Sequence, residues 1–131
     1  MPARTGAAYF QGLRVRDTEV WLGDERIRDV TSHPALRRGA QSVAHLYDMQ
    51  HGPALCDEMT YISPTSGERL GLSFITPRSL DDLQRRSRMM LHWARYSGGM
   101  LGRSPDYLNV SIMASAAAAD SSDVAALLCV T

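Results

Sequence analysis

The chain has 131 residues, of which 44% are hydrophobic and 21% are charged, a composition typical of globular proteins rather than of disordered tails. Its 14 basic residues, all arginine, balance 14 acidic ones, so the formal net charge is zero. No stretch is basic enough to follow a nucleic-acid backbone, and the lack of lysine excludes Schiff-base and P-loop lysine chemistry. The length predicts a single domain spanning residues 1–131.

Membrane insertion and export are not indicated. The N-terminal residues lack the apolar core of a signal peptide, and no apolar run approaches the roughly 20 residues that span a bilayer. We therefore expect a cytoplasmic protein whose partners include neither a membrane nor nucleic acid. Cys56 and Cys129 lie far apart and without CxxC spacing, which predicts buried free thiols and no metal site.

The first elements in chain order are a short helix and a hairpin. Thr5 is a candidate N-cap, and the apolar residues at positions 9, 10 and 13 that follow it share one helical face. Within residues 19–27, two β-prone segments flank Gly23-Asp24, which is the pattern of a small hairpin.

A long amphipathic helix and a second hairpin should follow. The helix is predicted from Pro34 to His51, with Pro34 in its first turn and Gly52-Pro53 ending it. Residues 59–62 and 72–75 then form two alternating segments on either side of a turn-rich connection. We expect these two segments to pair as strands.

Another helix is predicted from Ser79 to about Tyr96. Ser79 is a favourable N-cap, and Asp81 and Asp82 fall in the first turn, where the helix dipole favours carboxylates. Its expected apolar face comprises Leu80, Leu83, Met90, Trp93 and Ala94. Arginines cover the rest as a solvated face or an interface rim, and residues 97–99 should end the helix. Together these elements predict a mainly α fold with two small β-hairpins.

The segment after this helix is the most suggestive candidate site. Ser104, Pro105 and Asp106 suit the first positions of a new helix, whose N–H groups and partial positive charge favour an anion. Arg103 lies just before this cap and Tyr107 about one turn later, so that a guanidinium and a phenol hydroxyl could hold a phenolate or carboxylate oxygen. The residues alone leave open that Arg103 makes a capping or interface salt bridge while Tyr107 packs.

Four segments also carry a resemblance to a known family. They are Arg4-Thr5-Gly6-Ala7-Ala8-Tyr9, residues 20–26, residues 29–34 and, most specifically, Gly102-Arg103-Ser104-Pro105-Asp106-Tyr107-Leu108-Asn109. In this order they resemble the N-terminal region of the 4-hydroxyphenylacetate 3-monooxygenase (HpaB-like) flavin-dependent hydroxylases. The resemblance covers residues 4–113, and a divergent tail follows at 114–131.

The resemblance implies an acyl-CoA-dehydrogenase-like flavoprotein with an N-terminal helical domain, a central β-barrel and a C-terminal helical bundle that drives homo-oligomer assembly. This chain resembles the N-terminal helical domain alone, and we expect the barrel and the bundle to be absent from it.

A function follows from the same resemblance. Family members take reduced FAD from a separate NAD(P)H-dependent flavin reductase and use it with O2 to hydroxylate a phenol, such as 4-hydroxyphenylacetate, ortho to its hydroxyl. Arg103 and Tyr107 match the arginine and tyrosine that bind the phenolic oxygen, so the resemblance makes both of them substrate-binding and catalytic. Most flavin contacts come from the barrel and bundle, so no cofactor-binding residue is assigned here. We expect the isolated chain to bind no FAD and to be inactive.

Two alternatives are kept. The related 4-hydroxybutyryl-CoA dehydratases carry two cysteine ligands of an iron-sulfur cluster in this region, where Met100 and Ser104 stand instead. A thioether and a hydroxyl do not replace thiolates, which disfavours that branch. The other alternative is a non-catalytic helical interaction module that docks a partner through its apolar faces and arginine rim.

Overall fold

The computed structural model describes residues 2–100 together with residues 111, 114, 115 and 118. The chain divides into two compact units, the first ending at Gly71 and the second beginning at Leu72. In chain order the elements are α1 (Gly6–Val15), β1 (Val20–Leu22), β2 (Glu25–Ile27), α2 (Arg37–Met49), α3 (Cys56–Met59), β3 (Thr60–Ile62), β4 (Arg69–Gly71), a 3-10 turn (Leu72–Phe74) and α4 (Leu80–Ser97). The described residues thus form a mainly helical fold with two small antiparallel hairpins.

Helix α1 begins where the sequence predicts. The side chain of Thr5 accepts a hydrogen bond of 3.1 Å from the Ala8 backbone N–H and so caps the first turn. The helix packs against α2, with the rings of Tyr9 and Tyr47 5.4 Å apart between centroids. Gly6 is buried at this contact.

Helix α2 begins three residues later than predicted. Pro34 lies in a turn ahead of the helix rather than in its first turn. The reason is local, since the His33 ring accepts a hydrogen bond of 3.3 Å from the Ala35 N–H and the His33 carbonyl accepts one of 2.8 Å from the Arg37 N–H. The His33 carbonyl also accepts from the Leu36 N–H at 3.0 Å, so residues 33–37 form a tight turn, and the continuous helix begins with the bond from the Ala40 N–H to the Leu36 carbonyl at 3.1 Å. At the other end the helix stops at Met49, two residues before His51.

The first hairpin is confirmed. Strands β1 and β2 pair in antiparallel register, with Val20 opposite Ile27 and Leu22 opposite Glu25, around the Gly23-Asp24 turn. Ile27 is buried and belongs to the core of the first unit. The other buried apolar residues of that unit are Ala40, Ala44, Leu46 and Met59.

The second hairpin forms, but the prediction for its second strand was wrong. Strand β3 pairs with residues 69–71, whereas residues 72–74 make a 3-10 turn. The connecting loop is shorter than the turn-rich sequence suggests because Ser63 closes it. Its N–H donates to the Glu68 carbonyl at 2.9 Å, and its hydroxyl oxygen accepts from the Thr65 and Ser66 N–H groups, both at 3.3 Å. Pairing therefore resumes at once, at Arg69.

Helix α4 begins at the predicted cap. The Ser79 side chain accepts a hydrogen bond of 3.1 Å from the Asp82 N–H, and the Asp82 carboxylate accepts one of 3.1 Å from the Ser79 N–H. This reciprocal pair is a capping box.

The apolar face predicted for α4 was partly wrong. Met89 and Trp93 are each 1% exposed, whereas Leu80 is 71% and Leu83 is 44% exposed. With about 100° of rotation per residue, Leu80 lies about 180° around the helix from Met89. The helix packs against the 3-10 turn, and only the Met89–Trp93 stripe is buried.

The Ser97-Gly98-Gly99 sequence ends α4 as predicted. Gly98 and Gly99 both have positive φ, 59° and 80°, a conformation that glycine adopts at little cost. The Gly99 N–H donates to the Ala94 carbonyl at 2.8 Å, and the Met100 N–H donates to the Ser97 carbonyl at 3.1 Å. The helix start predicted at Ser104 lies outside the described residues; downstream of it, the described positions 111, 114, 115 and 118 are helical.

Two smaller expectations can also be compared with the structure. Cys56 is a free thiol but is only half-buried, and it lies in the short helix α3, which the sequence pattern did not predict. Cys129 lies outside the described residues. Within the described part of the chain, no helix has the length and apolar character needed to cross a bilayer.

Candidate functional site

Arg103 and Tyr107, the predicted site residues, lie outside the described residues, and their placement stays a prediction. The structure does describe the chain that leads to them. The last turn of α4 is held by the Ser97 hydroxyl, which donates to the Trp93 carbonyl at 2.9 Å, and Trp93 itself is buried. The left-handed pair Gly98-Gly99 follows directly, and three residues lie between Gly99 and Arg103.

The Arg4–Tyr9 segment, one of the four that carry the family resemblance, fastens α1 to α2. The Gly6 N–H donates to the Asp48 carboxylate at 2.8 Å. The Arg4 guanidinium carbon lies 5.9 Å from the centroid of the Tyr47 ring, within the range of a cation–π contact. Burial raises the pKa of the Tyr9 phenol, and the nearby Arg4 charge opposes that rise. These contacts give the segment a structural role.

The two segments at residues 20–26 and 29–34 also meet. The Asp29 carboxylate accepts hydrogen bonds from the Thr31 hydroxyl at 2.7 Å and from the Thr31 N–H at 2.8 Å. These bonds hold the pKa of Asp29 below its usual value. Arg14 Nε donates to the Thr31 hydroxyl oxygen at 3.1 Å, and His33 Nε2 lies 3.6 Å from a carboxylate oxygen of Glu25. The loop after the first hairpin is thereby tied to α1 and to β2.

A polar cluster that the sequence reasoning missed joins α3 to the second hairpin. Arg69 Nη1 donates to the buried Thr60 hydroxyl oxygen at 2.8 Å and to the Asp57 carboxylate at 3.2 Å. The Thr60 hydroxyl in turn donates to the Cys56 carbonyl. Strand β3 and an irregular loop lie between residues 57 and 69, so no periodic signal relates the two residues. The cluster stabilises the fold and contains no nucleophile–base pair.

In the part of the chain that the structure describes, no cluster of side chains is suited to a metal ion, and one concavity is too polar for a flavin ring. Over these residues no group of three or more His, Cys, Asp or Glu side chains could hold a metal ion. A concavity of about 470 Å³ is lined by residues 16–19 and 26–28. All but one of those residues are polar or charged, which does not fit the flat apolar ring system of a flavin.

Comparison with solved structures defines the class of protein. The chain is similar to an HpaB oxygenase component complexed with FAD and 4-hydroxyphenylacetate, with 44% identity and a TM-score of 0.84. The match covers 90% of this chain and 24% of the HpaB chain. It is also similar to a 4-hydroxybutyryl-CoA dehydratase from N. maritimus, with 25% identity and a TM-score of 0.64. That match covers 73% of this chain and 19% of the dehydratase chain. The fold is therefore that of the N-terminal part of an acyl-CoA-dehydrogenase-like flavoprotein, as the sequence predicted.

Family and sequence comparisons narrow this class. The family model described as 4-hydroxyphenylacetate 3-hydroxylase N terminal matches residues 5–126, and the chain belongs to this family. The 4-hydroxyphenylacetate 3-monooxygenase oxygenase components of Geobacillus sp. (strain PA-9) and Thermus thermophilus are each 44% identical to it, over 92% and 90% of this chain. The chain spans 24% of the length of each of these relatives. Its higher similarity to the oxygenases also favours that branch over the dehydratases.

Proposed function

We propose that this chain is the N-terminal part of the oxygenase component of a two-component aromatic monooxygenase. The reaction is the hydroxylation of a phenol such as 4-hydroxyphenylacetate ortho to its hydroxyl. The observation that carries this proposal is the family match over residues 5–126, together with 44% identity to the named oxygenase components. The single domain of residues 1–131 then corresponds to the first of the family's three domains. In this proposal the barrel and bundle of a full-length counterpart complete the fold and its homo-oligomer.

The proposed activity depends on cofactor and partners that this chain does not supply. In the full-length protein, reduced FAD delivered by a separate NAD(P)H-dependent flavin reductase would react with O2 and so provide the electrophilic oxygen that hydroxylates the phenol. The concavity lined by residues 16–19 and 26–28 does not suit the flavin ring, and we assign the flavin contacts to the barrel and bundle of a full-length counterpart. What this chain contributes is the recognition of the phenol.

Arg103 and Tyr107 are the residues to which we assign phenol recognition and activation. A free phenol has a pKa of about 10, so it is neutral at pH 7. A guanidinium next to a helix N-terminus favours the negatively charged phenolate, which is more electron-rich and reacts more readily with an electrophilic oxygen. The Tyr107 hydroxyl would add a hydrogen bond to the same oxygen and fix the orientation of the ring.

The described residues support this assignment through the end of α4. Buried Trp93, its hydrogen bond from Ser97, and the left-handed Gly98-Gly99 pair fix where the helix stops and how the chain leaves it. A catalytic arginine works best when its backbone is held by such rigid elements, because small displacements cost much of the rate.

A chimera tests the proposal. Residues 1–131 would replace the matching N-terminal quarter of the Thermus relative, and the product would be assayed with a flavin reductase, NADH, FAD and 4-hydroxyphenylacetate. We expect hydroxylation. In that chimera Arg103→Ala should cost about 2–4 kcal/mol in transition-state stabilisation, by analogy with removal of an oxyanion donor. Tyr107→Phe should raise KM because it removes one hydrogen bond to the phenolic oxygen.

Arg95→Ala is the matched control, because Arg95 is an exposed arginine in the last turn of α4, outside the assigned site. Its kcat/KM should equal that of the unsubstituted chimera. A chimera that binds FAD but does not hydroxylate the phenol would contradict the proposed function. An Arg103→Ala chimera with unchanged kcat/KM would contradict the role given to Arg103.

A further inference from the structure

The concavity between the end of α1 and the first hairpin has a charge pattern that the proposed hydroxylase reaction does not use. It is formed by residues 16–19, which lead out of α1, and by residues 26–28 at the end of β2, and its volume is about 470 Å³. That volume falls within the range of about 300–1,000 Å³ that is usual for small-molecule sites. All of these residues belong to the first compact unit.

Three arginines and two carboxylates line the concavity, which leaves one net positive charge. Arg26 and Glu19 form an ion pair of 2.7 Å and neutralise each other. Arg16 and Arg28 are exposed, and within the described part of the chain their guanidinium groups have no ion pair or hydrogen bond. Asp17 is the remaining negative charge beside them.

The single net positive charge of the lining favours a monoanion, because one added negative charge brings the lining to neutrality. A phosphate dianion would leave one excess negative charge beside Asp17. Guanidinium groups bind planar carboxylates through two parallel N–H···O hydrogen bonds. Their aliphatic stems and their planar faces also accept an apolar or aromatic group. We propose that this concavity binds a small organic carboxylate through Arg16 and Arg28.

Phenylacetate is a suitable probe because it carries the carboxylate and a ring but lacks the phenolic hydroxyl. Its binding here therefore does not depend on the proposed hydroxylase site. Backbone amide shifts of the 131-residue chain would be followed by NMR at about pH 8 during titration with phenylacetate, with benzyl alcohol as the neutral analogue and with inorganic phosphate, which is mainly the dianion at that pH. We expect saturable shifts for residues 16–19 and 26–28 with phenylacetate, and at least tenfold weaker binding of the other two.

Variants separate the site from general charge effects. Arg16→Gln with Arg28→Gln should weaken phenylacetate binding at least tenfold, whereas Arg37→Gln with Arg38→Gln, an exposed pair at the start of α2, should leave it unchanged. Asp17→Asn should tighten binding severalfold because it removes the competing carboxylate. Absence of saturable shifts, equal shifts with benzyl alcohol, tighter binding of phosphate, or full binding by the Arg16/Arg28 variant would each overturn the proposal.

Discussion

The backbone N–H of Gly6 donates a hydrogen bond of 2.8 Å to the carboxylate of Asp48, joining residues 42 positions apart. The acceptor is an anion placed at the N-terminus of α1, where the helix dipole and an unpaired N–H group both favour it. The approach is close, since a Cβ atom at residue 6 would lie 2.5 Å from Asp48 Oδ2 and 2.7 Å from the Ala44 carbonyl oxygen. This contact therefore fixes how α1 and α2 pack.

Gly6→Ala should destabilise the protein by about 2 kcal/mol, because the added methyl group has no room beside the backbone of α2. Gly12→Ala in the same helix is the matched control. A Cβ at residue 12 has no neighbour within 4 Å, so this change should stabilise the protein by about 1 kcal/mol through helix propensity. Urea unfolding of both variants measures the difference, and equal midpoints would contradict the packing described for Gly6.

The capping box of α4 predicts the effect of losing its serine. Ser79→Ala removes the acceptor of the Asp82 N–H and should lower the free energy of unfolding by about 1 kcal/mol. Ser87→Ala, an exposed change inside the same helix, should be neutral or slightly stabilising. Thermal melts of the two variants provide the comparison. If Ser79→Ala has the same melting temperature as the parent chain, the cap contributes nothing to stability.

The capping box of α4 also makes the stability of the fold depend on pH. Hydrogen bonds from the Arg78 N–H and from Ser79 lower the pKa of Asp82 below its usual value of 3.8. A lowered folded-state pKa stabilises the fold above the unfolded-state value, and this contribution disappears as the pH falls through the folded-state value. The loss of stability in Asp82→Ala should therefore be full at pH 6 and should shrink below about pH 4.

Denaturation of parent and variant chains at pH 6 and pH 3 tests this dependence. Gly12→Ala serves as the control, because its effect involves no titrating group and should be the same at both pH values. A constant difference between Asp82→Ala and the parent chain would show that the carboxylate is not the source of the stabilisation.

The 131-residue chain by itself should neither retain FAD on gel filtration nor hydroxylate 4-hydroxyphenylacetate when supplied with reductase, NADH and FAD. The physical reason is that it spans 24% of the length of its relatives, and the concavity lined by residues 16–19 and 26–28 is too polar for the flavin ring. Turnover by the chain alone would overturn this prediction and the proposal that the flavin contacts come from other domains of a full-length counterpart.

Local signals predicted most of the elements correctly. Thr5 and Ser79 cap α1 and α4 because capping depends on residues within one turn of each other. The errors arose where local hydrogen bonds set a tight turn, as those to His33 do before α2 and those to Ser63 do in the second hairpin. Periodicity alone also could not show that Leu80 is exposed, since burial depends on which surface the helix meets.

Residues in a contiguous motif could be predicted from the sequence, whereas residues that tertiary packing brings together could not. Arg103 and Tyr107 are recognisable from a contiguous motif, and their chemistry follows from residue type. By contrast, Asp48 gives no sign in the sequence that it will meet Gly6, because that partnership is set by tertiary packing. Likewise, no spacing rule relates Arg16 to Arg28, which line one concavity from either side of a hairpin.

The left-handed pair Gly98-Gly99 has a consequence for the tolerance of the chain to mutation. In a saturation library scored for folded protein, β-branched residues should be depleted at both positions, since valine and isoleucine are strongly disfavoured at positive φ. Gly39, inside α2 with open space around its Cβ position, should accept alanine freely. The residues tolerated at positions 98 and 99 would thus identify the end of α4 from mutational data alone.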